Sequence, residues 1–231
     1  MNNSSLQAIS IKSIERRYSE LSSSILHTPT IRLSSPLLSN LIKESELYMK
    51  LECFQHSGTF KARGALSATK QITEEDKKFG ITAASAGNHA IASAWAAKVE
   101  KLSAKVVMQT SANPFRVSLA EKFGAEIIMK EGGVATFAEA DRLTREENRT
   151  FIHPFEGINT TLGAAGVGLE LIDDHSDLDA VVVAVGGGGL MSGVAAAIKL
   201  RNRNCEVYAV EPIGANSCLL YTSPSPRDWL Q

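Results

Sequence analysis

Lys61 stands in "FQHSGTFKARGA" (Phe54–Ala65), a stretch with two cations, Lys61 and Arg63, and no carboxylate. A strand-like run, "ELYMKLE" (Glu46–Glu52), precedes it, and a helix-like run, Phe60–Ile72, contains it, with Thr59 placed as the N-cap. Lys61 then falls in a first helical turn, where the dipole disfavours a cation. The dipole, the neighbouring Arg63 and burial beside Phe60 together predict a lowered amine pKa. A partly neutral amine can attack a carbonyl and form an imine. The plainer reading is a solvated surface lysine, the usual fate of that residue type.

Two other stretches could bind anions. "GGGGL" (Gly186–Leu190) joins an apolar strand to a helix. Glycine N–H groups and a helix N-terminus attract phosphate. A tight turn is the alternative, but one or two glycines would serve that. The pattern GxxxxGK[ST] is absent, and GxGxxG fails because Met191 and Ser192 stand where its last glycine belongs. "SAGNHA" (Ser85–Ala90) closes another strand and opens another helix. Ser85, Asn88 and His89 can hydrogen-bond there, and the free N–H groups of the helix start can hold a carboxylate. It is equally an ordinary cap, with His89 a structural hydrogen-bonder. The remaining histidines show no metal-ligand spacing, so no metal is expected.

The elements that must position these residues alternate. Helical patterns cover Gln7–Ser24, Phe60–Ile72, His89–Lys98, Pro114–Gly124, Ala135–Asn148, Leu162–Asp173 and Leu190–Leu200. Strand patterns cover Tyr48–Leu51, Gly80–Ser85, Ala104–Thr110, Ala125–Lys130, Thr150–Pro154, Ala180–Val185 and Glu206–Val210. Such alternation predicts an α/β fold with mostly parallel sheets flanked by helices. The uncharged run Ala180–Ile198 is long enough to span a membrane, but its four central glycines fit a buried strand, a turn and a buried helix better.

The chain has 231 residues, 44% hydrophobic and 21% charged, with net charge −1, so nothing favours nucleic acid or a membrane surface as partner. Three scattered cysteines, Cys53, Cys205 and Cys218, argue against a disulfide framework and suit a reducing compartment. The N-terminus carries no signal-peptide pattern, so the expected location is cytoplasmic. After "VEPIGANS" the order breaks: "CLLYTSPSPRDWLQ" (Cys218–Gln231) reads as a disordered tail or as a translated transposase sequencing adapter. The expectation is a non-native tail over 218–231, with the native chain continuing past Ser217.

An imine-forming lysine, a phosphate cradle and a carboxylate site together are what pyridoxal phosphate chemistry on an amino acid requires. The sequence resembles the threonine/serine dehydratases of the fold-type II (tryptophan-synthase-β-like) pyridoxal phosphate enzymes. Three stretches carry the resemblance: "TPTIRLSS…MKLECFQHSGTFKARGA", "SAGNHAIA" and an intact "GGGGL", over about His27 to Ser217. It implies that Lys61 carries the cofactor and shuttles the α-proton, that Phe60 packs on its ring, and that Asn88 bonds the pyridine hydroxyl. Gly186, Gly187, Gly188, Gly189 and Leu190 would bind the phosphate. Ser85, Gly87, Asn88 and His89 would surround the substrate. It also implies two domains: a large one from residues 1–79 and 158–217, and a small one over 80–157. The partner would be a small amino-acid substrate, and the full-length form a homo-oligomer.

Three departures bear on function. The family's "GQGT", ahead of a helix, reads "GAAG" (Gly163–Gly166) here. Ala86 stands where serine racemases carry a second serine, which favours elimination over racemisation. The family's C-terminal part of the large domain is absent, so the chain as given is expected to be inactive. The expected reaction is dehydration and deamination of threonine or serine to a 2-oxo acid and ammonia. The alternatives are an amino-acid racemase or hydroxyaspartate dehydratase with the same cofactor, a nucleotide-binding oxidoreductase using Gly186–Gly189 with Glu206 or Glu211, and a non-catalytic pseudo-enzyme.

Overall fold

The computed structural model describes residues 9–42 and 45–216. The elements in chain order are α1 (Ile11–Leu21), β1 (Thr30–Leu33), α2 (Pro36–Ile42), β2 (Leu47–Lys50), α3 (Lys61–Thr69), β3 (Ile81–Ala84), α4 (Asn88–Val99), β4 (Ala104–Gln109), α5 (Pro114–Lys122), β5 (Glu126–Lys130), α6 (Gly132–Glu147), β6 (Thr150–Phe151), α7 (Ile158–Asp174), β7 (Ala180–Ala184), α8 (Gly189–Arg201) and β8 (Glu206–Val210). Gln7, Ala8, Ser217 and the tail Cys218–Gln231 lie outside the described residues.

The expected α/β alternation is present. β5-β4-β3-β6 form one four-stranded sheet, all parallel. Its central strand β3 is buried at every residue, as a strand covered on both faces should be. Ile81, Val106, Met108 and Ile152 from the sheet side pack with Ala90, Ala94 and Ala97 of α4. The alanines let α4 lie close to the sheet while its other side meets Ala62, Ala65 and Leu66 of α3. β7 and β8 form a second parallel pair, and the glycine turn and α8 follow β7, resolving Ala180–Ile198 as strand, turn and helix. Val181 and Val183 of β7 are buried, with Val167, Val194 and Ile198 in the same cluster, while Val182 and Val210 are 66% and 51% exposed. Among the described residues no helix is long and apolar enough to cross a membrane.

Two departures have local causes. β1 and α2 form where the sequence shows no clear pattern, and β1 pairs antiparallel with β2, Thr30 opposite Lys50. "TIRL" is too short and too exposed to alternate legibly. "GAAG" does not precede a helix: Gly163–Gly166 lie inside α7, fully buried. A Cβ at Gly163 would lie 2.5 Å from the Arg63 carbonyl oxygen, and one at Gly166 would lie 2.9 Å from the Tyr18 ring. A Cβ at Gly193 of α8 would lie 2.6 Å from the Thr161 carbonyl oxygen. The glycines therefore set how closely α3, α7 and α8 approach.

One ion cluster ties these elements together. The Arg63 guanidinium is fully buried; Nη1 and Nη2 donate to the two oxygens of Glu170, at 2.7 and 2.9 Å. Nε and Nη2 donate to Glu52 at 2.8 Å each. Lys50 Nζ reaches Glu170 at 2.9 Å and Asp174 at 3.0 Å. Tyr18 and the Thr28 amide also donate to Glu170. Burial by itself favours neutral groups, yet the bonds to Glu52 and Glu170 hold Arg63 charged, and those from Arg63 and Lys50 hold Glu170 below its ordinary pKa.

Arg63→Met should leave Glu170 buried beside only Lys50, lowering the unfolding free energy by about 3–5 kcal/mol in urea melts. A loss under about 1 kcal/mol would show that the cluster does not hold the helices. Asp174 gives an acid signature. Burial pushes its pKa up, but bonds from Thr30, Lys50 and His27 outweigh that and bring it down from 3.8 to about 2. As pH falls through 3.8 the unfolded chain takes the proton first, so stability present above that pH is lost on the way down to about 2. Asp174→Asn should flatten that part of the stability-versus-pH curve.

Candidate active site

The lysine helix begins from an unusual turn. Ser57 and Gly58 both take left-handed backbone, φ 62° and 69°, which reverses the chain after β2. Thr59 follows in extended conformation, buried, and its Oγ1 accepts from the Lys61 amide at 3.4 Å. That is the cap expected of Thr59, with regular helix starting one residue after Phe60. Ser57 Oγ is buried and has no hydrogen-bond partner among the described residues.

Lys61 is half-buried, not solvated. Its Nζ donates to the Pro154 carbonyl oxygen at 2.5 Å and lies 5.1 Å from the Phe60 ring centre. Burial lowers its pKa, in the expected direction. The expected contribution of Arg63 is absent: that guanidinium is on another side of α3, neutralised by Glu52 and Glu170. Two residues along a helix turn a side chain through about 200°, so proximity in sequence did not mean proximity in space.

Phe60, Lys61, His89, Pro154, Thr160 and Leu190 are among the residues around one cavity of about 10 Å³. That is room for about one water molecule. His89 is buried and turned inward, with Nε2 2.8 Å from the Ile152 carbonyl oxygen and 3.3 Å from Ser93 Oγ. Burial pushes its pKa down to about 4, so the ring is neutral at pH 7 and Nε2–H donates to Ile152. Ile152 and Pro154, held by His89 and Lys61, belong to the segment crossing from β6 to α7.

The glycine turn reaches the same cavity through Gly189 and Leu190. Gly188 takes φ 80° and sits as the N-cap of α8, with the Ser192 amide bonding its carbonyl at 2.9 Å. The first amides of α8 have no carbonyl a turn behind them and remain available to an anion. Part of the glycine requirement is steric. A Cβ at Gly187 would run into the Phe155 ring, and one at Gly189 would lie 2.6 Å from the Phe155 carbonyl oxygen. At Gly186 a Cβ would meet open space.

The "SAGNHA" stretch is only partly gathered in. Ser85 Oγ accepts from the Gly87 amide at 3.1 Å and shapes the turn before α4. Asn88 is exposed at the start of that helix, and neither it nor Ser85, Gly87 or Gly186–Gly188 lines the Lys61 cavity. Sequence reasoning missed Pro154, Thr160, Phe155 and Arg116. Arg116 Nη1 lies 3.4 Å from where a Gly87 Cβ would be, which places a cation beside that turn. No spacing signal could have found it, because it comes from α5, nearly thirty residues on.

The residues suit pyridoxal phosphate in chemistry: an amine whose charge burial disfavours, and helix-start amides for the phosphate at one cavity. Room is the constraint: the cavity at Lys61 holds about one water molecule, and Pro154 stands in its wall.

Comparison with known proteins agrees with this chemistry. A phenylserine dehydratase of Ralstonia pickettii is 47% identical over 168 residues, 73% of this chain and 52% of that protein. An L-threonine ammonia-lyase of Thermotoga maritima is 36% identical over 189 residues, 81% of this chain and 46% of that protein. Maize serine racemase superimposes with a TM-score of 0.85 at 32% identity, covering 90% of this chain and 63% of that one. The processed form of threonine deaminase isoform 2 from Solanum lycopersicum gives 0.81 at 27% identity, covering 90% and 62%. The chain thus spans about half the length of the curated relatives it matches. Residues 21–225 match the profile of the pyridoxal-phosphate dependent enzymes, and the chain belongs to that family.

Proposed function

We propose that these residues serve a pyridoxal-phosphate dependent ammonia-lyase acting on a β-hydroxy amino acid, threonine, serine or an aryl-substituted serine, to give a 2-oxo acid and ammonia. The observation that carries this is the half-buried Lys61 amine, its charge disfavoured by burial, at a cavity shared with the start of α8. The relatives named as threonine and phenylserine dehydratases support the substrate class.

Lys61 holds the cofactor and moves the α-proton, and α8 with Gly186–Leu190 holds the phosphate. Bound there, pyridoxal phosphate supplies an electron sink for the pair left when the α-proton departs. Phe60 gives the ring an apolar neighbour, and Asn88 reaches its hydroxyl once the site opens. The turn Ser85–His89 holds the substrate carboxylate through its amides, with the Arg116 cation alongside. His89, neutral and bonded to Ile152, fixes the segment carrying Pro154. Residues 80–157 form the smaller domain and residues 1–79 and 158–217 the larger, closing around the site in a cytoplasmic homo-oligomer. Racemisation is the second reading, favoured by the likeness to serine racemases. Ala86 opposes it, having no group to return a proton from the second face.

Incubation with pyridoxal phosphate at pH about 7, borohydride reduction and peptide mapping should place the label on Lys61, because exposed lysines are protonated there. A label spread over other lysines, or concentrated on one of them, would sink the assignment. When the loaded full-length enzyme is given L-threonine, L-serine and phenylserine, oxo acid should form faster than D-amino acid. The reverse order would mean that another group supplies the second base.

A further inference from the structure

The crossing segment Phe151–Gly157 separates two unequal spaces. Pro154 faces the Lys61 cavity of about 10 Å³. Phe151, His153 and Glu156 face a cavity of about 350 Å³, and Thr160 borders both. The larger space lies between the end of α3, the turn at Asp76 and the first turn of α7. Its size is that of a site for a small organic molecule. We propose that this larger cavity is a second ligand site, for a small organic ammonium compound, and that its occupant opposes cofactor loading at Lys61.

The chemistry follows from the walls. Asp76 and Glu156 face the space, and no Lys or Arg does among the described residues, so the site selects a cation. Thr73 Oγ1 donates to Asp76 at 2.6 Å and holds that carboxylate in place. His153 Nδ1 accepts from the Phe155 and Glu156 amides, at 3.3 and 2.9 Å. The neutral ring therefore carries its proton on Nε2, 3.8 Å from the Glu156 carboxylate. Asn159 Oδ1 is taken by Arg17, which leaves its NH₂, like the Gln71 amide, for a hydroxyl or carbonyl on the ligand. Ile72 and Ile152 supply apolar wall. No group of three or more His, Cys, Asp or Glu among the described residues could hold a metal ion, and the apolar wall of Ile72 and Ile152 suits a carbon-bearing cation.

The coupling is steric and rests on the reading of Lys61 above. A cofactor ring needs far more room than about one water volume, so Pro154, which lines that cavity and accepts from Lys61, must withdraw. The free volume on the other side of the same segment is the larger cavity. A ligand filling it resists that withdrawal, and by reciprocity the loaded cofactor weakens the ligand.

Dimethylaminoethanol is a suitable probe, because it is cationic near neutral pH and as a tertiary amine forms no imine with the cofactor aldehyde. Its neutral isostere is isoamyl alcohol. Titrated into the nitrogen-labelled chain, the amine should shift the side-chain amide signals of Gln71 and Asn159 saturably, and isoamyl alcohol should not. Asp76→Asn with Glu156→Gln, both at exposed positions, should weaken binding about tenfold or more. At saturation, the amine should slow pyridoxyl labelling of Lys61 about fivefold. No saturable shift, equal binding of isoamyl alcohol, or unchanged affinity in the double variant would overturn the site. Unchanged labelling of Lys61 at saturation would overturn the coupling. Failure of Lys61 to label without any amine counts against the Lys61 reading alone, because the amide shifts report the site independently.

Discussion

The doubly forked contact of Arg63 with Glu170 and Glu52 is the constraint on which the rest of the structure depends. A buried ion pair is not stabilising in itself, since removing both charges from water costs about what their attraction returns. Its effect is geometric. A planar guanidinium with all three nitrogens engaged tolerates one orientation, and that orientation joins α3, α7 and the turn after β2. Lys61 lies two residues before Arg63 on the same helix. Fixing the rotation of α3 about its axis therefore fixes the direction in which the amine leaves it. Lys50, Tyr18 and Thr28 complete the coordination of Glu170, so β2, α1 and the loop before β1 share one reference point.

On the other face of α3 the design is inverted: polar groups are few and burial does the electrostatic work. Lys61 and His89 have lowered pKa values chiefly because water is excluded, and each finds a backbone carbonyl on the segment Ile152–Pro154. A charged cluster holds one side rigid while uncharged carbonyl acceptors hold the reactive side. The second kind of contact is weaker and exchangeable, as a site that admits a cofactor and a substrate requires.

The sequence made legible what depends on local pattern. Strand and helix alternation, the strand–glycine–helix passage at Ala180–Leu200 and the position of Lys61 in a first turn are each written in one short consecutive run. The direction of the Lys61 shift and burial as its cause were legible, but the absence of an Arg63 contribution was not, because the orientation of Arg63 depends on Glu170, more than a hundred residues away. The same holds for Pro154 and Thr160, whose types carry no chemical signal and whose place at the cavity comes from the path of the chain. The helix expected over Leu162–Asp173 contains "GAAG", but the purpose of its glycines was not legible: Gly163 and Gly166 are small for the sake of contact with α3 and α1. The glycine run at Gly186–Gly189 mixes both uses: Gly188 needs its left-handed backbone, and Gly187 and Gly189 make way for Phe155.

The close approach of α3, α7 and α8 has a genetic consequence. Gly163, Gly166, Gly168 and Gly193 each face an atom within 3 Å of where a Cβ would sit, and for Gly163 and Gly193 that atom is backbone. Every missense change in a glycine codon adds at least that carbon, so these positions have no mild neighbours in codon space. The seam can be inherited intact or broken, but it cannot drift by small steps. Change compatible with the fold must then come from residues that face the cavities and the solvent.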